Sequence, residues 1–563
     1  MISGHEPKYL AWLDYVVFGV MLFLSALIGI YFAFFAKKKQ NTTSEYLMGG
    51  KKMGIFPIAM SLIASYISGI SLLGLPAEMY VYGTQYSMIM CPEAFVSVTM
   101  VFVYLPVFYK LQITSSYEYL SLRFSQTVRL MGSILFIIKM LLYIPIVIYV
   151  PALAFSQVTG ANLHLITPIV CIVCIFYTTL GGLKAVVWTD TLQTFLMFGG
   201  VIIVMVLGTM KVGGPGVVWE RSKQSDRLEF FNLDLDPTVR HTFWNVSFGN
   251  YFYWLAACSV NQAMVQRCLA MPSIRKANIT ILILAVGILC IVSMSCYTGL
   301  VIYATFYKFS QVTIGTIGKA DQVLPYFVMQ ISESVPGLPG IFLSGVFSAA
   351  LSTMSTGLNS MTGVIFEDLI RPAIKKPMSE ARASLVMKVM VMIIGLICVA
   401  LVFVVERMGT LVQAGKSLSG ITAGPLLGVF SMGMFFPWAN ATGALVGGVT
   451  SMVFVGWLSI GSQLAIASGQ IRFPTKPVSV EECEVQMFTN TTSTPFTSFA
   501  KQGSEPLMIF RLSYMWYTFI GVVTAIIVGL IVSFLTQPNR PQDVNRDLLT
   551  PVIHRFLPQS ASQ

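Results

Sequence analysis

The sequence predicts an all-α integral membrane protein with thirteen spanning helices. Three observations carry this prediction. Of 563 residues, 55 % are apolar and only 10 % are charged, too few charges to cover several water-soluble domains. Uncharged runs long enough to cross a bilayer, about 20 residues each, recur along the whole chain. The cations behind the net charge of +11 gather in short loops between those runs. That placement fits anchoring at a lipid bilayer and argues against a nucleic-acid partner.

The first run, 12–35, is too long for a signal-peptide core and is followed by Lys37, Lys38 and Lys39, so it reads as a retained span. The second, 53–82, is more polar. Its centre, "SLIASYISGISLLGLP" (61–76), holds four serines, two glycines and a proline. Lipid cannot hydrogen-bond an opened backbone, so a helix weakened at membrane depth needs a reason. Spans 86–109, 127–157, 163–180 and 186–210 follow. After a loop at 211–241 comes 242–263, containing "WNVSFGNYFYWLAACSVNQ", again rich in glycine, asparagine and serine. Spans 277–306, 338–365, 384–404, 409–432, 437–459 and 508–535 complete the thirteen. The polar, proline-containing tail 536–563 is expected to be mobile.

Lysine and arginine set the orientation. With the N-terminus outside, the inner loops carry Lys37–Lys39, Lys51, Lys52, Lys110, Arg123, Arg129, Arg267, Arg275, Lys276, Arg371, Lys375, Lys376 and Arg382. The outer segment 211–241 is basic too, but acids balance it. The C-terminus then lies in the cytoplasm. Asn490-Thr-Thr, in the outer loop 460–507, is a plausible glycan acceptor, whereas Asn41-Thr-Thr lies inside. Cys171 and Cys174 form a CxxC inside an apolar span with no histidine nearby, which reads as packing rather than a metal or redox pair. Cys483 is the only cysteine of loop 460–507, so that loop has no internal disulfide.

The spans fall into blocks. Residues 1–52 hold the first helix and a basic loop. Spans two to six occupy 53–210, and spans seven to eleven occupy 242–432. The last two helices occupy 433–535. Each block has five helices, and an odd number inserts the second block upside down. Inverted repeats of this kind are a transporter architecture, with the site where the first helix of each repeat is interrupted. Both weakened segments are such first helices.

Several stretches resemble a known family. "YTTLGGLKAVVWTDTLQTFLMF" (177–198) resembles the signature of the sodium/solute symporters. "GPLLGVFSMGMFFPWANATGAL" (424–445), "VNQAMVQRCLA" (260–270), "TSSYEYLSLRFS" (114–125) and "FEDLIRP" (366–372) resemble its iodide, monocarboxylate and multivitamin branch. The likeness covers roughly 10–535, with the motifs in order. It implies a LeuT-type five-plus-five fold with one extra helix before the repeats and two after. It also implies a plasma-membrane symporter that uses Na+ as coupling ion and needs no organic cofactor.

Sodium takes oxygen ligands. The adjacent hydroxyls Ser352 and Thr353 match the family's paired sodium ligands, Ala349 a carbonyl ligand one turn earlier, and Ala64 and Ile67 the carbonyls of the broken helix. The small face of 344–361 also suits close helix packing, and both readings can hold. Asp190 matches an acid beside the sodium exit path; an interfacial acid with no ion duty is the other reading. Ser68, Gly69, Ser71 and Tyr143 match cavity-facing positions. Tyr253 and Trp254 are candidates from the seventh span, with core packing as the alternative.

Glu93, Lys139 and Lys416 stand out because a charge inside an apolar span costs about 2.5–3.5 kcal/mol even on lenient scales. In the resembling branch, the positions of Glu93 and Lys416 are expected to be neutral. One reading pairs Glu93 with one lysine and leaves the other for a substrate carboxylate; a purely structural pair is the alternative. Function then reads as sodium-coupled uptake of a small organic anion, such as a monocarboxylate, biotin or pantothenate. Iodide, or a sensor that has lost transport, are the other outcomes. A channel would need pore loops or charge rings, and an enzyme a nucleophile–base pair. Neither is present in the sequence.

Overall fold

The computed structural model describes residues 10–36, 42–160, 162–307, 320–332, 335–374, 378–407, 411–478 and 506–557. Asn490 and Cys483 lie outside them. The described residues fold into helices joined by turns. In the first part of the chain these are α1 (Trp12–Ile30), α2 (Thr43–Met48), α3 (Ile55–Tyr66), α4 (Gly69–Tyr82), α5 (Cys91–Thr99), α6 (Leu105–Leu111), α7 (Glu118–Arg123), α8 (Gln126–Thr159), α9 (Leu163–Val212) and α10 (Pro215–Gln224). The second part adds α11 (Asn250–Ser259), α12 (Gln262–Leu269), α13 (Ile274–Thr305), α14 (Val323–Ile331), α15 (Leu338–Val364), α16 (Arg371–Ala373), α17 (Glu380–Arg407), α18 (Leu411–Phe435), α19 (Ala441–Ala467) and α20 (Tyr517–Leu535).

Among the described residues, nine helical segments are long and apolar enough to cross a membrane, or ten if a bent pair counts as one span. The chain is therefore a multi-pass membrane protein. The most enclosed of these segments is Leu338–Ala373, whose apolar window is 94 % buried. α15 packs against α9, α8, α3 and α1, so it forms the axis around which the others gather.

Local chemistry explains the interruptions. Between α3 and α4, Ile67 leaves helical geometry (φ −92°, ψ 97°), and Ser68 accepts a hydrogen bond from the Ser71 amide as N-cap of α4. Between α11 and α12 the break falls at Val260 and Asn261, where the Asn261 side chain caps α12 through the Ala263 amide. The fifty residues of α9 would make a rod of about 75 Å, far beyond bilayer thickness. Gly182 resolves this, because its φ of +50° turns the chain there. A Cβ at this position would lie 2.7 Å from the Tyr46 carbonyl oxygen.

Two sequence expectations need correction. The tail is not loose over its described part. Thr550 donates to the Val103 carbonyl, the Tyr119 hydroxyl donates to the Leu548 carbonyl, and Lys110 pairs with Asp547 at 2.5 Å. The tail keeps order because its Thr550 hydroxyl, Leu548 carbonyl and Asp547 carboxylate each find a partner on the helices: the Val103 carbonyl, the Tyr119 hydroxyl and the Lys110 ammonium. Nor are all the inner cations surface anchors. Arg123 is buried and donates to the carbonyls of Gly433, Phe436, Pro437 and Ala439. Arg129 grips the buried Asp368, whose other oxygen accepts from Ser115 (2.8 Å) and Ser133 (2.6 Å).

Candidate functional site

The breaks in α3/α4 and α11/α12 meet. Tyr66, the last residue of α3, donates its hydroxyl to the Ala257 carbonyl (2.6 Å), two residues from the end of α11. Its ring lies 6.2 Å from that of Trp254. The last carbonyls of α3 have no partner within the helix, and α15 packs on α3.

An oxygen cluster forms there. Thr353 on α15 donates to the Ala349 carbonyl (3.0 Å) and lies 3.4 Å from the Ser65 carbonyl. The Ser65 hydroxyl is 3.0 Å from that of Ser352 and 2.8 Å from that of Thr356. Ala64 and Ile67 flank Ser65 and are buried. Ala349, Ser352 and Thr353 thus come together with the α3 break. Neutral hydroxyls and carbonyls in this arrangement suit a hard monovalent cation.

Asp190 is fully buried in α9 instead of lying at an interface. It accepts from Ser61 (2.6 Å) and Ser355 (3.4 Å) and pairs with Arg267 of α12 at 3.1 Å. Arg267 also donates to Thr356. One connected network therefore joins α3, α9, α12 and α15 just below the breaks. Ser61, Ser65, Ser355, Thr356 and Arg267 belong to it. Thr356 had been visible only as part of a small face, and Arg267 only as a loop cation.

The remaining candidates lie around the breaks. Ser68 bonds Ser71 at 3.1 Å, and the Tyr143 hydroxyl of α8 sits beside Ser68. Tyr253 keeps 37 % exposure, and its ring lies 6.0 Å from that of Trp254. Gly69 packs so closely that a Cβ there would be 2.7 Å from Pro151. Lys139 is partly exposed. Among the described residues Glu93 and Lys139 form no ion pair. The two occupy different helices, and Glu93 sits on α5 near Tyr66 and Cys258. The side chain of Lys416 lies outside the described residues.

A model of the sodium:solute symporter family matches residues 46–451. The chain belongs to the sodium:solute symporter family. The match spans every residue of the oxygen cluster and of the Asp190–Arg267 network. Sodium-coupled monocarboxylate transporter 1 of Xenopus laevis is 40 % identical over 97 % of this chain and 89 % of its own length. The sodium-dependent multivitamin transporter of Oryctolagus cuniculus is also 40 % identical, over 97 % of this chain and 85 % of its own. A solved Na+-coupled sialic acid symporter, substrate-bound and outward-open, shares the fold: TM-score 0.77, 24 % identity, 94 % of this chain and 99 % of that one. Membership makes the chain a carrier of the symporter type and not an enzyme.

Proposed function

We propose that this symporter couples sodium to the inward movement of a small organic anion across the plasma membrane by alternating access. The observation that carries the reading is the meeting of two broken helices beside the Ala349, Ser352, Thr353 and Ser65 oxygens. In this reading sodium takes oxygens from Ala64, Ile67, Ala349, Ser352 and Thr353 and braces α3 against α15. Ser68, Gly69, Ser71, Tyr143, Tyr253 and Trp254 then complete the solute site, and Asp190 lies on the inward path of the ion. The half-helix N-termini of α4 and α12 carry positive dipole ends that favour a carboxylate. The similarity to monocarboxylate and multivitamin carriers supports an organic anion.

The finer architecture belongs to the same proposal. Thirteen spans follow once α9 is divided at Gly182 and the two broken helices and α18 each count as spans. Repeats then run over 53–210 and 242–432, with the loop 211–241 between them and the pair of helices in 433–535 after them. The N-terminus lies outside, the tail lies inside, and Asn490 carries glycan. A tenfold sodium gradient supplies about 1.4 kcal/mol per ion, and a potential of about 60 mV supplies about as much again. Labelled uptake in oocytes, with sodium and with choline replacing it, tests the proposal. Sodium-dependent accumulation of an organic anion is the expected result. Sodium-dependent current with no accumulation would overturn it.

A further inference from the structure

The tail crosses one end of the bundle and then runs along its side. Thr550 is fully buried there. Its amide donates to the Met434 carbonyl (3.1 Å) and its hydroxyl to the Val103 carbonyl (3.1 Å). Met434 is next to the last residue of α18, so Thr550 is level with the end of that helix. Val103 lies inside the span Thr84–Leu111, about 12 Å short of its end at 1.5 Å per residue. The residues that follow, Pro551–Phe556, form a 3₁₀ segment that packs against Met100–Tyr104. That stretch belongs to the span, and its Phe102 ring is 64 % exposed. The segment therefore lies at the edge of the apolar zone rather than beyond it.

In a 3₁₀ segment every third side chain shares a face. His554 turns toward the tail itself, with its Nε2 at 3.0 Å from the Arg546 carbonyl and 3.1 Å from that of Leu549. The other two columns are Val552 with Arg555 and Ile553 with Phe556. Val552 is 49 % exposed and Phe556 84 %. Arg555 is exposed, with no hydrogen bond or ion pair among the described residues. An ordered segment that holds apolar side chains outward at this level suits acyl chains, and a free cation beside them suits headgroup phosphates.

We propose that Pro551–Phe556 is an interfacial anchor, with Val552 and Phe556 at the acyl boundary and Arg555 on the headgroup of an anionic lipid. The anionic leaflet is the cytoplasmic one, so the choice of lipid rests on the tail lying inside, as proposed above. The anchor bears on the carrier through the residues just before it. Asp547, Leu548 and Thr550 fasten α6, α7 and the end of α18, so lipid held at Phe556 steadies the side of the bundle that those helices form.

The test uses the full chain in vesicles of phosphatidylcholine and phosphatidylserine mixed in both leaflets, with benzoylphenylalanine in place of Phe556. Irradiation is expected to join this position to lipid. Phosphatidylserine should be enriched in the adducts roughly fivefold over its share of the vesicle, from about 1 kcal/mol per cation near the surface. Arg555→Gln should abolish most of that enrichment at an unchanged melting temperature, and added salt should reduce it. Cross-links to protein in place of lipid, or no cross-link, overturn the inference. Enrichment that is absent with Arg555 present, or unchanged in Arg555→Gln, overturns it too. Sodium-dependent uptake is read separately, so the anchor and the symport reading fail independently.

Discussion

Arg267→Met is the perturbation with the largest expected consequence. Arg267 and Asp190 are 2 % and 0 % exposed and 3.1 Å apart. At an effective dielectric of about 20, unit charges at that distance attract by about 5 kcal/mol. Desolvating both ions consumes much of this, yet removing one partner strands the other, at a cost of about 3–5 kcal/mol. An unfolding entropy of about 2.1 cal/mol/K per residue, taken over the chain, converts that cost to a fall of about 3–4 °C in melting temperature. Thermal stability of purified protein in detergent measures it. The double variant Asp190→Asn/Arg267→Met removes both charges and should recover most of the loss, giving a large coupling in the cycle. If the double variant is as unstable as the sum of the two single ones, the pair is not the organising contact argued here.

Thr353→Ala removes one hydroxyl from the proposed ion site and should raise the sodium concentration for half-maximal uptake by roughly tenfold to a hundredfold; an unchanged value would exclude Thr353 as a ligand. Gly182→Ala forces a side chain into positive φ against Tyr46, at about 1–3 kcal/mol, and normal surface delivery would contradict the turn described there. His241, in the segment between α10 and α11, is held down to about 3 by burial and then by the Arg240 guanidinium. The unfolded chain, with a histidine near 6.5, binds the extra proton first. Stability is therefore full above about pH 6.5 and declines as pH falls from there toward about 3. His241→Gln should flatten that part of the melting-temperature profile, and an identical slope in the variant would assign the effect elsewhere.

How legible each feature was depended on whether its cause was local. The two breaks announce themselves because a broken helix must be capped again, and Ser68 and Asn261 are residues that cap. The family stood in contiguous motifs. The roles of the inner cations did not. Arg267 finds Asp190 across 77 residues and Arg129 finds Asp368 across 239, while loop counting treats every cation as solvated. The tail misled for the same reason: its partners, such as Tyr119 for the Leu548 carbonyl, stand 429 residues away. Glu93 and Lys139 were readable as costly charges, but which groups each would face depended on how α5, α8 and α11 pack.

The distribution of charge also bears on how an ion could be held and then released. The proposed sodium ligands are neutral, and the nearby acid is already balanced by Arg267. Sodium entering this region is therefore its own uncompensated charge. A bare carboxylate in direct contact at low dielectric would hold the ion by several kcal/mol more, too tightly for a carrier that must empty on each cycle. The hydroxyl and carbonyl set gives weaker, more easily reversed coordination and leaves the ion free to respond to membrane potential. The same network couples ligand loss to movement. Ser65 belongs to α3, Ser352 and Thr356 to α15, and Arg267 to α12. Separating α3 from α15 would take the Ser65 carbonyl from Thr353 and the Ser65 hydroxyl from Ser352 and Thr356 in one step. In the proposed sodium reading, release of the ion and opening of one side of the carrier would then follow from one displacement.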